Sequence, residues 1–100
     1  MVYEATNGDY LLSTDKTKLQ IKQISLLLAQ TYWASERAKE VINTSIKNSL
    51  CFGLYNNGVQ IGFARVVTDY AVFAYLCDVI IFEKHRGNGL GKWLISEILK

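Results

Sequence analysis

Three glycines at alternate positions, Gly87, Gly89 and Gly91, follow Arg86 and precede Lys92. Ahead of them runs the apolar, β-branched stretch Val79-Ile80-Ile81-Phe82. Behind them Leu94, Ile95, Ile98 and Leu99 fall on one helical stripe. The order is strand, glycine-rich turn, helix. A helix N-terminus presents backbone N–H groups that lack intrahelical partners, at the positive end of the helix dipole. Glycines let a ligand reach that backbone without meeting a Cβ. Together these features predict an anion cradle suited to phosphate or pyrophosphate. The Walker A pattern fails, because Gly91-Lys92 is followed by Trp93 rather than Ser or Thr. The dinucleotide fingerprint fails too, since the spacing is G-x-G-x-G and not G-x-G-x-x-G.

The pattern that does fit is Arg/Gln-x-x-Gly-x-Gly/Ala, matched by Arg86, Gly89 and Gly91. It resembles the acyl-CoA pyrophosphate loop of the GNAT family, the GCN5-related N-acetyltransferases. The resemblance implies acetyl-CoA as co-substrate and transfer of its acetyl group to a primary amine. It implies that Arg86, Gly87, Asn88, Gly89, Leu90, Gly91 and Lys92 hold the pyrophosphate. Val79 and Ile81 fall where the family's fourth strand offers backbone N–H and C=O groups to the pantetheine arm. A carboxylate usually supplies base function, and Asp78 is the first candidate. The competing reading is a strand aspartate bonded to a neighbouring backbone group or to Arg65. Glu83, nearer the phosphate end, is the weaker choice. Tyr32 and Trp33 lie where the family commonly builds its acceptor pocket, with core packing as their other reading. His85 is read as an exposed or nucleotide-facing loop residue.

The elements that must position these groups are legible in outline. Residues 10–13 offer a short first strand, and residues 13–17 several N-cap types. Ile21, Ile24, Leu27 and Leu28 recur at helical spacing over residues 18–29. Residues 31–34 break the pattern, Ser35 looks like a new N-cap, and residues 36–46 carry a second stripe. Residues 49–55 alternate as a strand, Asn56-Asn57-Gly58 marks a hairpin, and residues 59–67 return. A turn at residues 68–70 leads to a third strand, residues 71–82, whose nearly unbroken hydrophobicity predicts cover on both faces. This order makes an α+β fold, an α/β sandwich with a mixed, mainly antiparallel sheet flanked by helices. It matches the first two-thirds of the GNAT fold.

Departures from the family pattern are Glu83, where proline is frequent, and the end of the chain. The family continues with a fifth strand, a helix and a closing hairpin, and often with a tyrosine that protonates the departing thiolate. None of these follows Lys100, so the expectation is one domain, residues 1–100, with the C-terminal part of the fold missing and negligible turnover on its own. The alternative is a non-catalytic fold fragment that acts as a CoA-binding or interaction module. An unpaired edge along residues 71–82 predicts a homo-oligomer.

Composition bounds the rest. A formal charge of +2 gives no argument for nucleic acid or a membrane surface, and the basic residues Lys84, Arg86 and Lys92 flank one loop rather than forming a stripe. No apolar run approaches a membrane span and no secretory signal is visible, which points to the cytoplasm. Two cysteines, Cys51 and Cys77, and one histidine do not suggest zinc, and buried free thiols are expected. A hydrolase triad lacks its G-x-S-x-G elbow. The acceptor is expected to be a small-molecule or peptide amine.

Overall fold

The computed structural model describes residues 2–31, 33, 35–87 and 89–99. Its sheet has five strands in chain order, every neighbouring pair antiparallel: β1 (Glu4–Asn7), β2 (Tyr10–Ser13), β3 (Leu50–Asn56), β4 (Val59–Thr68) and β5 (Ala74–Ile81). Helices α1 (Ile21–Ala29) and α2 (Lys39–Lys47) separate β2 from β3, and α3 (Leu90–Ile98) follows β5. Strand β1 has no counterpart among the elements expected from the sequence. It is mostly exposed, and only its pairing with β2 across a Gly8 turn at φ +60° defines it.

Period-two alternation in β3 sends its side chains into two cores. Phe52 and Leu54 join Leu12, Ile61, Ala64, Val66 and Ile81 beneath Leu90 and Leu94 of α3. Cys51 joins Phe63 and Ile80 beneath Ile24, Leu27 and Leu28 of α1 and Ile42 and Ile46 of α2. The sheet is thus the middle layer of three. The Asn57-Gly58 turn has φ values of 52° and 80°, the pair of positive angles a type I′ hairpin requires.

Cover on both faces therefore belongs to β3, β4 and the second half of the third strand, not to that strand's whole length as expected. β5 lies at the sheet edge, and its first half is open: Tyr75 is 63% exposed, and Val72, in the turn before it, 94%. Its apolar start pairs with residues 66–68, beyond the helices that cover the centre.

Both early helices start later than their apolar stripes suggest. At α1 the backbone is diverted into a glutamine clasp. Gln20 N–H donates to Gln60 Oε1 (2.8 Å), and Gln60 N–H donates to Gln20 Oε1 (3.0 Å). Ahead of it, Lys16–Lys18 form a 3-10 turn capped by Asp15. At α2 the cap is the extended Ala38 rather than Ser35, which leaves Arg37 outside the helix. Among the described residues no helix is long and apolar enough to cross a membrane.

Gly53 lies under the buried ring of Tyr55: a Cβ there would come within 2.3 Å of the phenol oxygen. That oxygen is buried and has no hydrogen-bond partner among the described residues. Gly53→Ala is therefore expected to destabilise the fold by about 1–3 kcal/mol through overpacking. Tyr55→Phe, which deletes an unpaired polar atom, should leave stability unchanged or slightly higher. Urea unfolding of the two variants checks both, and a Tyr55→Phe loss above about 1 kcal/mol would reveal a partner for the hydroxyl.

Candidate functional site

The turn after β5 is built to aim backbone donors. Residues Glu83–His85 make one 3-10 turn, closed by His85 N–H to the Phe82 carbonyl (2.9 Å) and Arg86 N–H to the Glu83 carbonyl (3.0 Å). Gly87 and Gly89 then adopt φ of +85° and +83°, where an L side chain is strained by about 1–2 kcal/mol. Gly89 is the N-cap of α3, and its carbonyl accepts from Trp93 N–H (3.0 Å), the first bond of the helix. The N–H groups of Leu90, Gly91 and Lys92 therefore precede the first helical donor. A Cβ added at Gly87 or Gly89 would meet nothing within 4 Å, so both glycines border open space. Gly91 instead approaches Ile81, 3.9 Å from its Cδ1.

Val79, Ile81, Arg86, Gly87 and Gly91 line one groove of about 260 Å³. It unites five of the nine residues assigned to the cofactor. The Leu90 side chain itself is buried under the sheet. Lys92 is exposed on the first turn of α3, and Asn88 lies outside the described residues. Phe82 N–H donates to the Ile61 carbonyl (2.9 Å), so the alternating peptide groups of Ile81 face the free side of β5. The Ile81 carbonyl accepts from Arg86 Nε at 2.7 Å, which engages one of its two lone pairs. The same bond ties Arg86 across the turn and leaves its terminal nitrogens for an anion.

His85 is half-buried, not a free loop residue. Its Nδ1 is 3.0 Å from Tyr10 Oη, and the two rings meet edge to face at 5.8 Å, which fastens the turn to β2. A larger cavity of about 610 Å³ lies beyond that turn, lined by Gln23, Gln30, Asn57, Val59, Phe82 and His85 among others. It contains none of the loop glycines. Of the two thiols, Cys51 is buried, and burial pushes it up to about 11; Cys77 is only partly covered, against expectation.

Asp78 sits at the centre of a second constellation. Phe63 pairs with Ile80 and Arg65 with Cys77, so Asp78 and Val79 together oppose the single Ala64. This is a β-bulge, and Asp78 occupies it at φ +54°, a conformation aspartate tolerates better than most residues. Its side chain is 3% exposed. Oδ2 accepts from Arg37 Nη1 and Arg65 Nε, each at 2.9 Å, and Oδ1 accepts from Trp33 Nε1 at 3.2 Å. Arg65 Nη1 also donates to Ser49 Oγ (3.0 Å). Burial pushes the carboxyl up, but the hydrogen bonds from Arg37, Arg65 and Trp33 outweigh it and hold the group below its ordinary value.

The ion-paired reading weighed for Asp78 in the sequence, with Arg65 as partner, is the arrangement found. Arg37 was missed. It is 41 positions away in the chain, and only the charge of Asp78 within an apolar strand hinted that a cation must reach it. Trp33 is brought to this node with its ring half exposed, while Tyr32 lies outside the described residues.

A carboxyl with a folded value below 3.8 favours the folded state when ionised. That stabilisation is complete above 3.8 and is lost as pH falls through the depressed folded value. Asn keeps the left-handed backbone accessible, so Asp78→Asn isolates the charge. The variant is expected to lose about 3 kcal/mol at neutral pH, two guanidinium groups being left unpaired. Denaturant unfolding of both proteins from neutral to acid checks this. A gap that stays constant well below pH 3.8 would assign the loss to packing instead.

With this geometry in view, comparison with known proteins is informative. The sequence model of the Acetyltransferase (GNAT) family matches residues 18–100. A crystal structure from Xanthomonas campestris pv. campestris, described as an acetyltransferase belonging to the GNAT family, is similar with 42% identity and a TM-score of 0.85, over 90% of this chain and 64% of that one. The Gibberella zeae protein FG08082, named as an acetyltransferase, is 34% identical over 91% of this chain and 63% of its own length. The chain thus spans less than two-thirds of these relatives. A GNAT acetyltransferase from Elizabethkingia anophelis with acetyl-CoA bound shares the fold at 15% identity and a TM-score of 0.61, over 99% of this chain and 54% of that one. The chain belongs to the GNAT family of acetyltransferases.

Proposed function

We propose that the protein binds acetyl-CoA in the groove beside β5 and transfers the acetyl group to a primary amine. One observation carries this reading: the positive-φ Gly87, together with Arg86 and Gly91, lines a groove that continues along β5 through Ile81 to Val79. Pyrophosphate would meet the N–H groups at the start of α3 and the terminal nitrogens of Arg86. Extended pantetheine would pair with the backbone of Val79 and with Ile81 N–H, as an added strand does. When bound, acetyl-CoA supplies the activated carbonyl. The amine nitrogen would bond to it, the C–S bond would break with its electron pair leaving on sulfur, and the proton lost by the nitrogen would pass through solvent to that sulfur, giving amide and CoA thiol. The protein's part is chiefly positioning, which can account for roughly 7–11 kcal/mol of a barrier.

Asp78 enters this reading as a positioning residue. Its oxygens accept three hydrogen bonds, and a carboxylate held below its ordinary range is a weaker base than a free one. Its role is to keep the bulge that aims Val79 and to hold Trp33 and Arg37 beside it.

Release of CoA thiol from acetyl-CoA in the presence of a panel of amines tests the function. Binding of CoA with no thiol release from any amine would leave the chain a CoA-binding module. For the groove itself, CoA is expected to protect the amides of Gly87, Gly89, Leu90, Gly91 and Lys92 from hydrogen exchange. Arg86→Ala should weaken CoA binding about ten- to a hundredfold, as loss of a charged hydrogen bond does. Gly89→Ala should weaken it as well, because its φ of +83° must be strained or abandoned. Unchanged affinity in both variants, measured by calorimetry, would remove the loop from the site.

A further inference from the structure

The node at Asp78 is not neutral. Two guanidinium groups, Arg37 and Arg65, converge on one carboxylate oxygen, and no other carboxylate among the described residues pairs with either. Arg65 completes its bonding with the neutral hydroxyl of Ser49. Arg37 spends only Nη1 on Asp78 and meets no other acceptor among the described residues. One positive charge is therefore in surplus, on side chains that are 21% and 16% exposed. Partial burial strips water from such a group and strengthens its pull on an anion. A guanidinium fork matches a carboxylate in plane and spacing.

Position gives the surplus charge a role. The pyrophosphate end of the groove is at Gly87 and Gly91, and Val79 lines its other end, one residue from Asp78. On the proposed acetyltransferase reading, the acyl group lies toward that second end. The half-exposed ring of Trp33 stands at the same node. Carboxylate and amine would thus be held by one acceptor, the first at the arginines and the second toward the thioester.

We propose that the Arg37–Asp78–Arg65 node binds the carboxylate of the acceptor, so that the acceptor class is carboxylate-bearing amines such as amino acids, not polycations. Arg37 makes the contact, Arg65 and Asp78 orient it, and Trp33 supplies an apolar wall. A polyamine would meet the surplus positive charge as a repulsion.

The test uses matched pairs of small ligands: N-acetylglycine, N-acetylleucine, N-acetylphenylalanine and N-acetylglutamate, each beside its α-carboxamide, with spermidine as the cationic probe. Binding is measured by calorimetry and by the indole N–H resonance of Trp33, with and without CoA. At least one acid should bind about tenfold or more tightly than its amide, and added salt should shrink the difference. Arg37→Gln should abolish it while leaving CoA affinity unchanged. Equal binding of acid and amide in every pair, or preference for spermidine, would overturn the proposal. If Arg37→Gln fails to fold, the acid–amide comparison on the unaltered protein decides alone. Because this readout is binding and also runs without CoA, it stays separate from thiol release. A protein that discriminates acids but releases no thiol would sink the acetyltransferase reading and keep the anion site.

Discussion

An ionised carboxylate at positive φ inside an otherwise apolar strand is a costly object, and the structure around Asp78 is arranged to meet that cost. Its charge draws Arg65 from the neighbouring strand and Arg37 and Trp33 from the segment between α1 and α2. Without that pull the α1–α2 connection would have little reason to lie against the edge strand. Its consequence for the backbone is as large. With two residues opposing Ala64, β5 changes direction at Val79, which lines the groove shared with Ile81 and Arg86. One side chain thus shapes the groove and anchors the segment between α1 and α2.

The far end of the groove depends on different physics. There the chain must leave β5, reverse and enter α3 within a few residues while exposing its amides. Two glycines at positive φ make the reversal, and Arg86 Nε on the Ile81 carbonyl clamps it. The contact between Tyr10 and His85 adds a fastening from β2. Packing of Leu90 and Leu94 against Ile81 and the central strands then fixes the helix axis.

Between these ends stands a sheet whose two middle strands are covered on both faces. Burying β3 and β4 between α3 and the α1–α2 pair gives the site a stiff floor. The edge strand escapes that cover at its start, where Tyr75 and the preceding turn residue Val72 stand in solvent. Its second half, Ile80 and Ile81, is buried into the two opposite cores. The part that carries the groove is the part that is held.

Local chemistry was enough to reveal the strand–turn–helix at residues 79–99, the Asn57-Gly58 hairpin and the two early helices. Glycine spacing, β-branched runs and 3.6-residue periodicity act over a few residues and need no partner. Those same signals carried the resemblance to the family and the anion loop. They misjudged what depends on distant chain. β1 exists only through its pairing with β2, and cover on both faces stops halfway along β5 because the helices lie over the sheet's centre. α1 and α2 begin late because Gln20 and Arg37 are committed to Gln60 and Asp78. The charge of Asp78 was legible in the sequence. That two arginines and a tryptophan would converge on it, leaving one positive charge in surplus, was decided by tertiary structure alone, because an ion pair spanning 41 positions has no local signature.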